Sequence, residues 1–261
     1  MAERQIPIQE TVEEVAPGLI RITVENGEWS FGTPNYYLLI GETEGIIVDS
    51  GTGSSSEFSL FRKTWQKRGQ PKIAGIVVTH SHFDHSGGIR SFSALVDAEI
   101  IGGKGMAEDK REIDLGGRTV TIIPTPGHTR DSLCVLDSKS NALFTGDTII
   151  EDKSVVVQDM SAYWNTLEEL KWLAPAIIYP GHGNTVENGT NKIQEYIART
   201  HRRERTIERF IQRGLTDVRS LTNRMYGDKS SAGHQQVKAH IEKLEKEGRI
   251  IAQDGKLQLA S

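Results

Sequence analysis

The segment Thr79-His80-Ser81-His82-Phe83-Asp84-His85-Ser86-Gly87-Gly88 follows the apolar run Ile76-Val77-Val78 and constrains this chain more than any other feature. Three imidazoles and a carboxylate within six residues form a dense set of zinc-type ligands. The β-branched run before them reads as a buried strand, and the glycines after them allow a sharp turn. In extended backbone, side chains two apart share a face, so His80 and His82 can reach one metal together. A turn at Phe83-Asp84 would swing Asp84 and His85 towards a neighbouring position. That spacing suits two metals rather than one.

Three further segments offer single ligands in similar settings: Pro126-Gly127-His128-Thr129, Phe144-Thr145-Gly146-Asp147 and Tyr179-Pro180-Gly181-His182-Gly183. Each follows an apolar run and sets a His or Asp beside glycine, where the chain can turn and a metal can approach the backbone. Alone, each is weak; beside the first cluster, His128, Asp147 and His182 complete a set of seven. A structural zinc is closed by four ligands, so a nucleic-acid-binding module with one closed site would leave several unused.

The apolar runs predict strands at Leu19 to Val24, Tyr36 to Ile40, Gly45 to Asp49, Ile73 to Thr79, Glu99 to Gly102, Thr119 to Pro124, Ser132 to Asp137, Ala142 to Thr145 and Ala176 to Tyr179. Helices are expected at Glu57 to Arg68, Ile89 to Val96 and Ser161 to Ala174. After Gly189 the pattern becomes helical with long charged side chains, at Asn191 to Arg213, Thr216 to Met225 and Ala232 to Glu247, with an N-cap at Thr216-Asp217. Two short apolar runs then flank Gln253-Asp254-Gly255, a hairpin signal. Helix, turn, helix and hairpin is the layout of a winged helix. The division expected is a catalytic domain over residues 1–190 and a small helical, winged-helix domain over 191–261.

The net charge of −4 is divided along the same line. Residues 1–190 hold 16 Lys and Arg against 26 Asp and Glu, and residues 191–261 hold 15 against 9. A basic segment beside an acidic one suggests a polyanion partner, although a solvated helix face gives the same surplus. No run approaches the roughly 18 apolar residues of a membrane span, and the first residues lack a leader-like apolar region. A single cysteine, Cys134, makes no internal disulfide and reads as a packed strand residue. The expected compartment is the cytoplasm, with no membrane partner.

The run His80-x-His82-x-Asp84-His85, with His128, Asp147 and His182 following in order and Val48-Asp49-Ser50-Gly51 upstream, resembles the metallo-β-lactamase superfamily from about Gly18 to Gly189. The resemblance implies an α/β fold, an αβ/βα sandwich with the site at one edge between two sheets. One metal would take His80, His82 and His128, the other Asp84, His85 and His182, and Asp147 would bridge them. Asp49 would hold the ligand loop by hydrogen bonds. The chemistry agrees, since two divalent ions about 3.5 to 4 Å apart can hold a shared hydroxide near neutral pH and need no protein nucleophile. Two Zn2+ per chain are expected, and the same donors accept Mn2+ or Fe2+.

Within the superfamily, a di-iron electron-transfer branch carries a carboxylate where this chain has His82, which favours hydrolysis. Retention of Asp84, His85 and His182 weakens a mononuclear sulfur-oxidising reading. Gly32-Thr33-Pro34-Asn35-Tyr36-Tyr37-Leu38, Thr125-Pro126-Gly127-His128-Thr129, Ile178 to Gly183 and Leu244-Glu245-Lys246-Glu247-Gly248-Arg249-Ile250 resemble the beta-lactamase-like protein 2 family of single-strand-selective endoribonucleases. That resemblance implies single-stranded RNA as substrate. The same architecture is shared with thioesterases acting on acyl carrier proteins, so hydrolysis of a small acyl, thioester or lactone substrate is the alternative, a glyoxalase II-like activity included. Tyr163 could face the metals and steady an anionic intermediate, or pack in the core. Trp29 and Phe31 could form an apolar lip or a base-stacking surface, or simply pack. His201, His234 and His240 sit among charges and are expected to be solvated.

Overall fold

A computed structural model describes residues 9–25, 32–103, 110–151, 154–228, 230–253 and 255–260. Trp29 and Phe31 lie outside the described residues. Two compact units emerge: residues 1–125, 131–153 and 175–189 form the first, and 126–130, 154–174 and 190–261 the second. The helical C-terminal part thus begins close to residue 190, but two earlier segments group with it.

The first unit holds two sheets. Strands β1 (Gln9–Ala16), β2 (Leu19–Glu25), β3 (Asn35–Ile40), β4 (Gly45–Val48), β5 (Ile73–Val78) and β6 (Ile100–Gly102) lie in sequence order. The first four run antiparallel, and β4, β5 and β6 run parallel. The parallel pairs need crossovers, supplied by helices α1 (Ser55–Lys67) and α3 (Ile89–Val96); the short α2 (Phe83–Ser86) follows β5. The second sheet is ordered β11 (Ile177–Pro180), β10 (Ala142–Gly146), β9 (Leu133–Asp137), β8 (Thr119–Pro124), β7 (Arg111–Asp114).

Alternation divides the apolar side chains between two layers. Leu39, Ile46, Val48 and Val77 of the first sheet meet Val120, Ile122, Val135 and Phe144 of the second in one core. Their neighbours Leu38, Ile47 and Ile76 turn the other way, against Phe61 of α1 and Phe92 of α3, whose rings stack at 4.2 Å. Strands buried on both faces read as continuous apolar runs, which is why these were legible. The two strands that the pattern did not predict, β1 and β7, are sheet edges rich in Glu and Arg. Cys134 is fully buried in β9, as expected of a packed strand residue.

The second unit contains α4 (Met160–Leu173), α5 (Gly189–Gln212), α6 (Val218–Tyr226), α7 (Ser231–Lys246) and the antiparallel ribbon of β12 (Ile250–Gln253) and β13 (Lys256–Leu259). Asp217 caps α6 by accepting from Ser220 N–H at 2.9 Å. Ile207, Ile211, Leu221, Val237, Ile241, Leu244, Ile250 and Leu257 form its core. Buried Glu204 accepts from Lys243 Nζ at 2.8 Å and Arg249 Nη1 at 3.0 Å. His234 is exposed, as expected, but His240 is not solvated: it is fully buried, and neither ring nitrogen has a hydrogen-bond partner among the described residues. Its place on α7 among Gln236, Val237, Ala239 and Leu244 sets it on the buried face, whatever the charges elsewhere on the helix.

Candidate metal centre

The ends of β4 and β5 build the centre. Asp49 follows β4 with φ +63°, a conformation that Asp tolerates better than most residues. Its Oδ1 accepts the Thr79 N–H at 2.7 Å, and its Oδ2 accepts the Thr79 hydroxyl at 2.8 Å and meets His85 Nδ1 at 2.8 Å. The Thr79 hydroxyl also lies 3.1 Å from His80 Nδ1. With its proton committed to Asp49, that hydroxyl accepts from His80, so His80 Nε2 is left to present a lone pair. One carboxylate therefore sets the tautomer of His85 directly and of His80 through Thr79.

The Asp49 loop is itself held. Buried Glu57 accepts from Thr52 N–H, Thr52 Oγ1 and Ser54 N–H at 3.1, 2.6 and 2.9 Å, and Ser54 caps α1 in return. The Ser54-x-x-Glu57 capping box was readable in the sequence, but its support of the ligand loop was not. Ser50 N–H and Gly87 N–H then tie the two loops together through the carbonyls of His85 and Gly51, at 2.9 and 3.0 Å.

Asn35 is the second residue that sequence reasoning missed. It opens β3, and its Nδ2 donates to the carbonyls of Pro180 and Gly183 at 3.1 and 2.9 Å, on either side of His182. Tyr37 Oη adds a bond to the Pro180 carbonyl at 2.7 Å. Gly181 is required by space, since a Cβ there would lie 2.7 Å from His85 Cε1 and 2.9 Å from Asp147 Oδ1. On another side, His182 lines a cavity of about 410 Å³ with Arg21, Thr23, Asn35 and Asn184, a ligand-sized space.

Six of the seven expected ligands belong to this unit, and the fold gathers them into two groups. His80, His82 and Asp147 offer ligand atoms within 4.8 Å of one another, as do Asp84, His85 and His182. His80 Nε2 is 2.9 Å from His82 Nδ1, and His85 Nε2 is 3.1 Å from His182 Nε2. Asp147 faces both: Oδ2 lies 4.0 Å from His80 Nε2, and Oδ1 lies 3.5 Å from both His85 Nε2 and His182 Nε2. Asp84 Oδ2 stands 3.3 Å from His182 Nε2 and 3.8 Å from His85 Nε2.

This arrangement fits metal by its donor chemistry. His182 Nδ1 lies 2.9 Å from the Gly32 carbonyl oxygen and donates to it, as His85 Nδ1 donates to Asp49. Both Nε2 atoms then point lone pairs at each other among two carboxylates, a set of acceptors that only a cation can satisfy. The charges point the same way. Burial alone would push His85 down, yet Asp49, Asp147 and Asp84 carry it up to about 9. Burial also opposes the Asp84 charge, but His182 and His85 hold its carboxyl down at about 2.

The remaining expected residues lie in the second unit. His128 is buried on the 126–130 segment, with Nδ1 2.7 Å from the Val156 carbonyl oxygen, so Nε2 is the atom it could offer a metal. Tyr163 is buried in the first turn of α4, under Gly127: a Cβ on Gly127 would lie 2.5 Å from Tyr163 Cα.

Residues 29–105 and 98–182 match the metallo-beta-lactamase superfamily. The chain belongs to that superfamily. The superfamily's enzymes are generally metal-dependent hydrolases, and this chain is one of them. It is 31% identical to the beta-lactamase-like protein 2 homolog of Caenorhabditis elegans, over 92% of this chain and 88% of that one. It is 30% identical to an atrochrysone carboxyl ACP thioesterase of Aspergillus fumigatus, over 89% and 75%. The α/β sandwich is shared with a beta-lactamase domain protein from Burkholderia ambifaria, with TM-score 0.81 and 16% identity over 95% and 93% of the two chains. No helix among the described residues is long and apolar enough to cross a membrane.

Proposed function

We propose that this superfamily member is a dinuclear zinc-dependent endoribonuclease acting on single-stranded RNA in the cytoplasm. The observation that carries the dinuclear reading is Asp147, whose two oxygens face two separate groups of imidazoles. His80, His82 and His128 would hold one ion, Asp84, His85 and His182 the other, and Asp147 both. Bound there, the ions would supply Lewis acidity and acidify water for attack on a phosphodiester. Around them, Asp49 orients two of the imidazoles, Asn35 fixes the His182 loop, and Tyr163 steadies developing negative charge. Tyr163→Phe should then lower turnover about 100- to 1,000-fold with the metal content intact; an unchanged rate removes that role.

RNA is favoured by the basic surplus of residues 191–261, by their order of helices and a terminal antiparallel ribbon, which we read as a winged helix, and by similarity to a beta-lactamase-like protein 2 homolog. Similarity to a carrier-protein thioesterase keeps thioester or lactone hydrolysis as the second reading. The two separate in parallel assays of the full chain on single-stranded RNA and on acyl thioesters at rising salt. Each neutralised phosphate should give RNA binding a slope of about −0.7 in log K against log salt, where a small thioester gives almost none. Chelator should abolish cleavage. Thioester turnover without salt-sensitive RNA binding would transfer the assignment to the second reading.

A further inference from the structure

The six ligands of the first unit differ sharply in exposure. His80, His85 and His182 are buried, Asp84 and Asp147 are 17% exposed, and His82 lies on the surface. The centre therefore opens on the His82 side, and the next residue along that opening is Phe83, 64% exposed. A lone apolar side chain on a surface needs no explanation. Phe83 differs because it stands between two ligand positions, and because its backbone is fixed. Its carbonyl accepts from Gly87 N–H at 2.8 Å, and Gly87 is the residue tied to the Asp49 loop. Ser86 Oγ donates to the carbonyls of Ser81 and His82 at 3.2 and 3.0 Å, and His85 N–H to that of His82 at 3.1 Å. The other large exposed apolar side chains among the described residues, Val12, Trp172, Ile251 and Leu259, are not in the ligand segments.

We infer that Phe83 is a specificity-determining residue on which one nucleobase of the RNA stacks beside the scissile phosphate. The inference rests on the ribonuclease reading above. A ring presented by a pinned backbone loses little freedom when a base covers it, and every base has a face that can stack. Bases in a duplex already have both faces covered, so the same ring favours single strands.

The test uses the full-length, zinc-loaded protein and a short single-stranded oligoribonucleotide with an abasic residue moved along it. Phe83→Ala should raise KM for the intact oligonucleotide about 5- to 150-fold, the range for one base on one aromatic, with kcat changed far less. Phe83→Trp or Phe83→Tyr should restore it. An abasic residue at one position near the cut should cost the wild type a similar factor and cost Phe83→Ala little more, because the partners of one contact are not additive. The preference for single strands over hairpins should narrow by the same factor.

An unchanged KM overturns the inference. So does an equal loss on a small, base-free phosphodiester, which would make Phe83 a wall of the centre, or a loss confined to aromatic acyl thioesters, which would assign the ring to an acyl chain. If the wild type fails to cleave RNA, the ribonuclease reading falls with the inference; if it cleaves and the variant matches it, only the inference falls.

Discussion

Each unit holds a histidine with no solvent exposure. His85 is surrounded by Asp49, Asp84 and Asp147, whose charges outweigh its burial and carry its pKa up to about 9, a sign of how strongly the site draws a cation. His240 lies on α7 with Arg203 and Lys243 as its charged neighbours and Glu204 Oε1 4.0 Å from Nδ1; burial and the two cations push it down to about 3. Glu204 does not reverse the effect because its charge is already engaged by Lys243 and Arg249. Burial is thus common to both rings, and the balance of unspent charge decides the sign. Where acids outnumber bases the interior draws a cation, as a binding centre must. Where each acid has its own base, the interior keeps its histidine neutral and serves only packing.

The harshest way to break this contrast is to remove an acid from the first region. Asp147→Asn keeps the shape and loses the charge facing both groups, so hydrolysis should fall by orders of magnitude and metal content well below the two ions per chain expected of the wild type by elemental analysis. Full activity with two retained ions would refute a bridging Asp147. A smaller change follows from Asp49→Asn. Asn tolerates the positive φ at this position, so the backbone is little disturbed. Its amide cannot accept from both Thr79 and His85 as the carboxylate does, so metal affinity should drop about 10- to 100-fold, read by competition with a chelator.

The smallest effect lies in the second region. Unfolded, His240 titrates near its ordinary 6.5; folded, near 3. Between those values the unfolded chain binds more protons, so stability declines as pH falls below 6.5, by on the order of 4 kcal/mol near pH 3. His240→Leu should flatten that decline in urea unfolding at stepped pH, with no effect on metal content. An unaltered pH profile would show that another group carries the acid sensitivity.

The candidate ligands stood out in the sequence because four crowd into six residues just after an apolar run and the other three, His128, Asp147 and His182, each adjoin a glycine, and such local motifs survive without knowledge of the fold. The inner strands were legible for a related reason, since burial on both faces leaves an unbroken apolar run. Edges β1 and β7 carry charge on strands that the core does not need to cover. Asn35 escaped because its work is done on a loop distant in sequence: it acts on residues 180 and 183, which no local pattern announces. The Glu57 carboxylate has local partners, Thr52 and Ser54, and what no pattern announced is that the loop it braces serves Thr79 and His85. His240 could have been placed by helical period, since Gln236, Val237 and Leu244 share its face. The grouping of α4 with the C-terminal helices had no such signal, because a helix's pattern shows that it has a buried face but not what covers it.

That discontinuous grouping has a consequence for biosynthesis. Trp164 on α4 is covered by Lys243, whose ammonium sits 5.0 Å from its ring, and the Val157 N–H donates to Gln236 at 3.2 Å. Both partners come from α7, which leaves the ribosome only after α5 and α6. Until α7 emerges, the nascent chain must therefore carry the indole without this cover and the amide with no partner but water, so this unit cannot close before nearly all of the chain has been made.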